Sequence, residues 1–365
     1  MNIKCNIEKI KSAVSLTDKM CGKNLTLPIL SNLLFSIKEN KLKIRSTNLN
    51  VGIEVTVDVL MKEEGIVSIK GDILSNILNN LPQTQEINFY TENENLILES
   101  VKTKNIIKCL PVEDFPLLPI VEGESFDIDN KILQEGIRSV FFASAINDIK
   151  PEIASIFIYT ENDYIYFVAT DSFRLAEKKI KIKGLSEIPK ILLPYKNISD
   201  ILKTLDNMSE KVRIVFNRNQ ISINDNNIYF TSRLIDGGFP AYQLIIPKEE
   251  NTKIVVLKQD LINTLRLATV FSDKFFQVVL SINNQDKKVT ISSKNNEIGS
   301  SITNIDAVIT GEDIEVIFNL KYFLDVFQAI SGDSISISFT KSNKPILIKN
   351  INDNNFLYLL MPTNR

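Results

Sequence analysis

The chain has 365 residues, of which 44% are apolar and 24% charged, enough to build two or three ordinary globular domains. It contains no histidine, which excludes histidine acid–base catalysis, Ser-His and Cys-His nucleophiles and the commonest metal ligand. The net charge of −2 provides no bulk attraction for nucleic acid, so only the distribution of charge can favour such a partner.

The N-terminal stretch MNIKCNIEKIKSAV carries no long apolar segment, so we expect no signal peptide. No apolar run approaches the length of a membrane span, so no membrane partner is expected. Cys5, Cys21 and Cys109 form no CxxC pair, and neither GxxxxGK[ST] nor GxGxxG occurs. These features predict a cytoplasmic protein without a metal or cofactor.

Helical and strand-like segments alternate along the chain in an order that occurs three times. Each unit opens with a helix, continues with strands, and then gives a second amphipathic helix followed by a β-hairpin. The helices are predicted over 6–20, 69–81, 130–145, 193–205, 258–272 and 318–330.

The second helices of the three units end at Leu81, Leu205 and Ile330, so the period is about 124 residues, the size of a domain. Proline-bearing stretches, FPLLPIVEGES and IIPKEENTK, separate the units. The predicted domains are residues 1–121, 122–247 and 248–365.

The predicted helices and their flanks carry more Lys and Arg than Asp and Glu, whereas the remaining sequence is acidic. A layer of such helices would attract phosphate, although solvated lysines are common on any helix. No aromatic platform or arginine cluster for reading bases is present, so any contact with DNA would be non-specific and made to the backbone. The candidates selected by charge are Lys11, Arg138, Lys196, Lys203 and Arg266.

The segment FVATDSFRLAEKKI places a polar turn, Thr170 to Arg174, between apolar runs. Three interpretations fit it: a docking pocket, a tight structural hairpin, or a carboxylate hydrolase site built on Asp171 beside Arg174. TDSFR occurs once in a chain whose unit occurs three times, which argues against an enzyme with equivalent sites. A scaffold that binds only proteins is a further alternative.

Six segments in register along the whole chain resemble the bacterial β sliding clamp family, the processivity subunit of DNA polymerase III. They are TLPILSNLLF (26–35), LPVEDFPLLP (110–119), VATDSFRLA (168–176), FTSRLIDGGFPAYQLIIP (230–247), FNLKYFLDVFQAI (318–330) and the terminal LLMPTNR.

The resemblance implies an α+β chain of three similar clamp domains, each with two helices packed on antiparallel sheets, and a head-to-tail homodimer that closes a ring. It implies a processivity factor without catalysis that encircles double-stranded DNA and slides along it. Replicative polymerase, clamp loader and repair proteins would bind through short linear motifs.

The resemblance also implies three sets of site residues. The peptide-binding pocket takes the turn, Ile153 in the strand before it, the FPAYQLI segment and the C-terminal tail, with Arg174 at the rim. Its residues are Ile153, Thr170, Ser172, Phe173, Arg174, Leu175, Pro240, Ile245, Leu360, Met361 and Pro362. The chain departs from the family pattern at Ser172, Phe173, Leu244, Thr363 and Asn364, which leaves the peptide preference open.

The implied dimer interface pairs an edge strand of the first domain with one of the third. It comprises Lys102, Lys104, Ile106, Ile107, Val270, Phe271 and Glu297. Further DNA contacts implied by the resemblance are Lys23, Asn24, Asn147 and Lys150.

Overall fold

The computed structural model describes residues 1–22, 26–82, 86–100, 102–147, 149–184 and 188–363. All six predicted helices are present in it. They are α1 (Ile7–Asp18), α2 (Gly71–Asn79), α3 (Asn130–Val140), α4 (Tyr195–Leu205), α5 (Lys258–Val270) and α6 (Leu320–Asp325). Of the helices within these ranges, none combines the length and the apolar character needed to cross a bilayer.

Strands make up most of the remaining structure. The first repeat contains β1 (Asn2–Asn6), β2 (Asn32–Lys38), β3 (Lys41–Thr47), β4 (Val51–Asp58), β5 (Leu60–Glu63), β6 (Gly65–Lys70), β7 (Glu86–Glu92), β8 (Asn95–Glu99) and β9 (Lys104–Leu110). The second contains β10 (Glu124–Asp129), β11 (Ser155–Glu161), β12 (Tyr164–Thr170), β13 (Arg174–Lys181), β14 (Ile191–Pro194), β15 (Lys211–Phe216), β16 (Gln220–Asn224) and β17 (Ile228–Arg233). The third contains β18 (Thr252–Leu257), β19 (Gln277–Asn283), β20 (Lys288–Asn295), β21 (Gly299–Ile305), β22 (Ala307–Gly311), β23 (Ile314–Asn319), β24 (Ser334–Phe339), β25 (Ile346–Asn350) and β26 (Phe356–Leu360).

The strands form three sheets whose pairings are antiparallel. The thirteen-stranded sheet runs β10-β15-β16-β17-β4-β3-β2-β6-β9-β8-β7-β1-β5. The nine-stranded sheet runs β14-β11-β12-β13-β26-β25-β24-β18-β22, and the four-stranded sheet runs β21-β20-β19-β23. Helices beside antiparallel sheets confirm the predicted α+β class.

Both long sheets continue across the borders between repeats. In the thirteen-stranded sheet β17 pairs with β4, with Phe230 opposite Ile53. In the nine-stranded sheet β26 pairs with β13, with Tyr358 opposite Ala176. The last strand of a repeat therefore binds the preceding repeat through backbone hydrogen bonds.

Two compact units result from this pairing. One comprises residues 1–134 and 196–234 and holds the thirteen-stranded sheet; the other comprises residues 135–195 and 235–365 and holds the remaining two sheets. The units follow the sheets rather than the repeats, so the domain borders drawn from the sequence stay a prediction.

The helices bury one face against the sheets, as their apolar spacing requires. In α1, Ile10 and Val14 are fully buried, and the Asn6 side chain caps the helix by accepting a hydrogen bond from the Glu8 amide at 2.8 Å. In α5, Leu261 and Leu265 are fully buried. The repeats thus use one packing scheme.

Gly136 shows how closely α3 approaches its sheet. A Cβ atom at this position would lie 2.2 Å from the ring of Phe167, which is fully buried on β12. Alanine normally favours a helix over glycine by about 1 kcal/mol, but here the clash outweighs the gain in helix propensity.

We therefore expect Gly136→Ala to lower the melting temperature, because the added methyl group displaces Phe167 from a closely packed core. Thermal unfolding followed by circular dichroism measures the effect. Gly238→Ala is the control, since a Cβ atom there has nothing within 4 Å. Equal melting temperatures for the two variants would contradict the close approach of α3.

Candidate functional site

The turn between β12 and β13 is held by its own side chains. The Thr170 hydroxyl donates to the Arg174 carbonyl at 2.7 Å, and Asp171 Oδ1 accepts from the Phe173 and Arg174 amides at 2.9 and 3.0 Å. Ser172 has a positive φ of 78°, the left-handed conformation that such a tight turn requires. The turn is therefore preorganised, and only Ser172 and Phe173 are exposed on it.

Arg174 is buried below the turn, which corrects its expected place at the rim. Its Nε donates to Asp171 Oδ2 at 2.9 Å, and its Nη1 pairs with Asp325 at the end of α6. The guanidinium carbon also lies 4.3 Å from the centre of the Tyr322 ring. The guanidinium is 8% exposed because two carboxylates and an aromatic ring surround it.

Asp171 is fully engaged by these contacts. Burial raises the pKa of its carboxyl group, and the hydrogen bonds from Phe173 and Arg174 offset part of this effect. Both of its oxygens accept hydrogen bonds within the turn, so the residue serves the hairpin and the ion pair.

The C-terminal tail runs beside the turn. Arg174 lies opposite Leu360 in the β13–β26 pairing, and the Met361 amide donates to the Phe173 carbonyl at 2.8 Å. The Thr363 amide donates to the Ile317 carbonyl at 2.8 Å. Met361 is therefore fixed next to the turn.

A groove of about 490 Å³ opens beside Met361. Leu244 and Ile245 are exposed at 85% and 49% and form one apolar side. The opposite side comes from the β24–β25 connection. The lining residues are Leu244, Ile245, Ile246, Pro247, Lys248, Glu249, Thr340, Asn343, Lys344, Pro345 and Met361. An open apolar groove with a polar margin suits a short extended peptide.

Several predicted pocket residues lie outside this groove. Leu175 and Leu360 are 1% and 0% exposed and belong to the core beneath it. Pro240 borders a different cavity, near Phe157 and Phe239. Ile153 lies in a turn before β11 rather than in a strand; its carbonyl and that of Thr170 accept from the same amide, that of Ala145.

Three models of the DNA polymerase III beta subunit match the chain in order. The N-terminal domain matches residues 1–119, the central domain residues 127–241, and the C-terminal domain residues 243–364. The chain belongs to the DNA polymerase III beta subunit family.

Individual relatives agree with this membership. The beta sliding clamp of Proteus mirabilis is 28% identical over 93% of this chain and 94% of its own length. The beta subunit structure from Thermotoga maritima is 26% identical, with a TM-score of 0.93 over 100% of this chain and 99% of its own. The Pseudomonas aeruginosa sliding clamp bound to griselimycin, at 24% identity, shares the fold with a TM-score of 0.94 over the full length of both chains.

The residues predicted for dimerisation lie on or just before β9, at the end of α5 and in the β20–β21 turn. Lys104, Ile106 and Ile107 are on β9, with Ile106 64% exposed and Ile107 buried. Val270 ends α5, Phe271 follows it, and Glu297 lies in the β20–β21 turn. Lys102 is exposed just before β9.

Those residues predicted to contact DNA that the structure describes occupy exposed or half-exposed positions. Five are on helices, namely Lys11 on α1, Arg138 on α3, Lys196 and Lys203 on α4, and Arg266 on α5. Asn147 and Lys150 are exposed after α3, whereas Lys23, Asn24 and the tail residue Asn364 lie outside the described residues. Lys203 also pairs with Asp200 at 3.6 Å.

The sequence did not reveal two parts of the site. The β24–β25 connection, with Asn343 and Pro345, carries no motif that would mark it as a groove wall. A buried hydrogen-bonded group, Glu177 with Tyr242 and Tyr159, was also missed. Tyr242 stands in the FPAYQLI segment, but nothing in the local sequence distinguishes Glu177 from the lysines that follow it.

Burial raises the pKa of Glu177 above its ordinary value of 4.5, against the hydrogen bond from Tyr242. Between 4.5 and the raised pKa the native state binds more protons than the unfolded state, so the free energy of unfolding falls as pH rises. Glutamine at this position removes that dependence. We expect Glu177→Gln to gain stability relative to the wild type as pH rises from 4 toward neutrality.

Denaturant unfolding at several pH values measures this gain. Glu249→Gln, which changes an exposed carboxylate, is the matched control and should keep the wild-type pH dependence. A constant difference between Glu177→Gln and the wild type across this range would show that the buried carboxyl does not titrate as described.

Proposed function

We propose that the chain acts as a sliding clamp: two copies close head to tail around duplex DNA and tether replication and repair proteins to it. The clamp has no catalytic activity of its own and works in the cytoplasm, on non-specific double-stranded DNA. The observation that carries the ring proposal concerns the strands that pair one repeat with the next. In the described residues, one such strand in the first repeat and one in the third repeat each have an unpaired edge.

The repeats supply the argument. The last strands of repeats two and three, β17 and β26, pair with β4 and β13, which are equivalent strands of repeats one and two. The equivalent strands are therefore β9, β17 and β26 in one set and β4, β13 and β21 in the other. Of these, β9 in the first repeat and β21 in the third have no such partner among the described residues. Within the described ranges, residues 104–108 of β9 pair only with β8, and β21 pairs only with β20.

Joining β9 of one copy to β21 of another completes the pattern. Each chain has one edge of each kind, so two copies make two such junctions and close a ring without remaining edges of this type. Unpaired backbone groups at an edge favour strand addition. Exposed Ile106 on β9 and Ile302 on β21, 64% and 73% accessible, would add apolar burial.

The helices supply the surface for DNA. Two copies contribute twelve helices, and at axis spacings of about 8–10 Å these would enclose an opening of about 20–28 Å. That opening admits a duplex with water around it. Lysines and arginines on the helices would attract phosphates without fixing a register, because contacts to the backbone carry no sequence information.

The groove at Met361 supplies the docking site for short linear motifs of polymerase, clamp loader and repair proteins. Its apolar side, Leu244 and Ile245, and its open shape support this role. A catalytic role for the turn is disfavoured because Asp171 and Arg174 already satisfy each other. Phe173, 59% exposed and stacked on Tyr322, lies next to the groove and would contact the part of a peptide that extends past it.

Retention on DNA tests the ring. A clamp loaded by a bacterial clamp loader should stay on nicked circular DNA through gel filtration and leave when the DNA is linearised, since only topology holds it. Ile302→Asp should give a monomer by light scattering and abolish retention, because a carboxylate replaces apolar burial at the proposed junction.

Val308→Asp is the matched control, since Val308 is 68% exposed on β22, a different edge strand. It should stay dimeric and be retained. If Val308→Asp dissociates the dimer and Ile302→Asp does not, the proposed β9–β21 junction is wrong. Retention on linear DNA would contradict topological binding.

Griselimycin, the ligand of the Pseudomonas aeruginosa clamp structure, is a probe for the groove. We expect the wild type to bind it and Met361→Asp to bind it at least tenfold more weakly, because a charge would then be desolvated in the groove. Ile351→Asp, an exposed isoleucine outside the groove, should bind like the wild type. Calorimetric titration measures all three.

A further inference from the structure

A chain of buried polar side chains adjoins the segment that carries the groove residues Leu244 and Ile245. Tyr242 donates its hydroxyl hydrogen to Glu177 on β13, and its hydroxyl oxygen lies 2.8 Å from that of Tyr159 on β11. All three residues are more than nine-tenths buried. None of them is among the residues that line the groove.

Tyr242 opens the 3-10 helix Tyr242–Ile245, which carries two groove residues, Leu244 and Ile245. This helix is a single turn of four residues, and the Leu244 amide donates to the carbonyl of Ala241, the residue before the helix, at 3.2 Å. Such a short turn has little stability of its own. We infer that the buried Tyr242 side chain holds this helix in place.

Apolar contacts keep the Tyr242 ring in the core, but they do not set its depth or orientation there. The ring packs in a buried cluster with Leu175, Leu347 and Leu359. Apolar contact is non-directional, whereas the hydrogen bond to Glu177 sets both a distance and a direction. A charge-assisted bond in a buried site is also among the stronger hydrogen bonds.

Burying the Glu177 carboxylate costs desolvation free energy, so its partners need to be identified. The charged groups that face it are Lys179, Lys349 and Glu161, and no ion pair joins it to either lysine among the described residues. Its defined partner is the Tyr242 hydroxyl. The carboxylate therefore acts on the 3-10 helix rather than on the surface.

We propose that Glu177 and Tyr242 are positioning residues of the ligand groove. Their hydrogen bond holds Leu244 and Ile245 where a ligand meets them, so groove affinity depends on a contact that no ligand touches. The inference deepens the docking role proposed above and rests on it.

Griselimycin titration of four variants tests the proposal. Tyr242→Phe removes the donor and Glu177→Leu removes the acceptor, and each should weaken binding by about tenfold, the equivalent of one buried hydrogen bond. Glu177→Gln keeps an acceptor oxygen and should bind within about twofold of the wild type. The double variant Tyr242→Phe, Glu177→Leu should bind no more weakly than either single variant, since all three lack the same bond.

Melting temperature and dimer mass are measured on every variant. The positioning role is supported if Glu177→Leu loses affinity for griselimycin, keeps the wild-type dimer mass, and Glu177→Gln retains the affinity. A structural role alone would not make the griselimycin affinities of these two variants differ. If Glu177→Leu fails to fold, Tyr242→Phe carries the test by itself.

Two outcomes count against the proposal, and they are distinguishable. If Tyr242→Phe and Glu177→Leu bind like the wild type while Met361→Asp binds weakly, the positioning role is wrong and the docking groove stands. If the wild type does not bind griselimycin, or Met361→Asp binds it equally well, the docking groove and the positioning role both fall.

Discussion

Backbone pairing between successive repeats is the constraint on which the rest of the molecule depends. A strand at the end of one repeat completes the sheet of the repeat before it, so no repeat is a closed body. Unpaired sheet edges in a monomer can pair with other chains, and proteins usually protect them. In the proposed ring, a second copy of the chain covers the remaining edges.

The same constraint explains how a weakly charged protein can serve DNA. Tight binding to phosphates would stop movement along the duplex, whereas a closed ring needs no tight contact to stay in place. A modest excess of basic side chains on the helices is then sufficient. Function follows from closure more than from affinity.

The periodic features of the sequence predicted most of the fold. Apolar spacing located all six helices, because each helix buries one stripe against a sheet, and the turn at Thr170 lies where the apolar runs break. Burial in the site was harder to predict. The family resemblance placed Arg174 at the rim of the pocket. Contacts with Asp171 in the turn, and with Tyr322 and Asp325 about 150 residues away, bury it instead.

Other parts of the site depend on contacts that are equally remote in sequence. The groove wall at Asn343 and Pro345 comes from a hairpin connection without a motif, and Glu177 meets Tyr242 across 65 residues. Pairings of this kind are set by tertiary packing, which no local pattern encodes. Sequence reasoning therefore named Ile245 and Met361, which line the groove, but missed its second wall and the hydrogen bond between Glu177 and Tyr242.

The Arg174 ion pairs divide the turn into two parts with different freedom to change. Asp171 and Arg174 hold the stem and anchor it to α6, so substitutions there disturb the joint between two repeats. Ser172 and Phe173 form the exposed tip of the turn, and their side chains take no part in these ion pairs. Recognition of new partners can therefore evolve at the tip while the ring that carries it keeps its architecture.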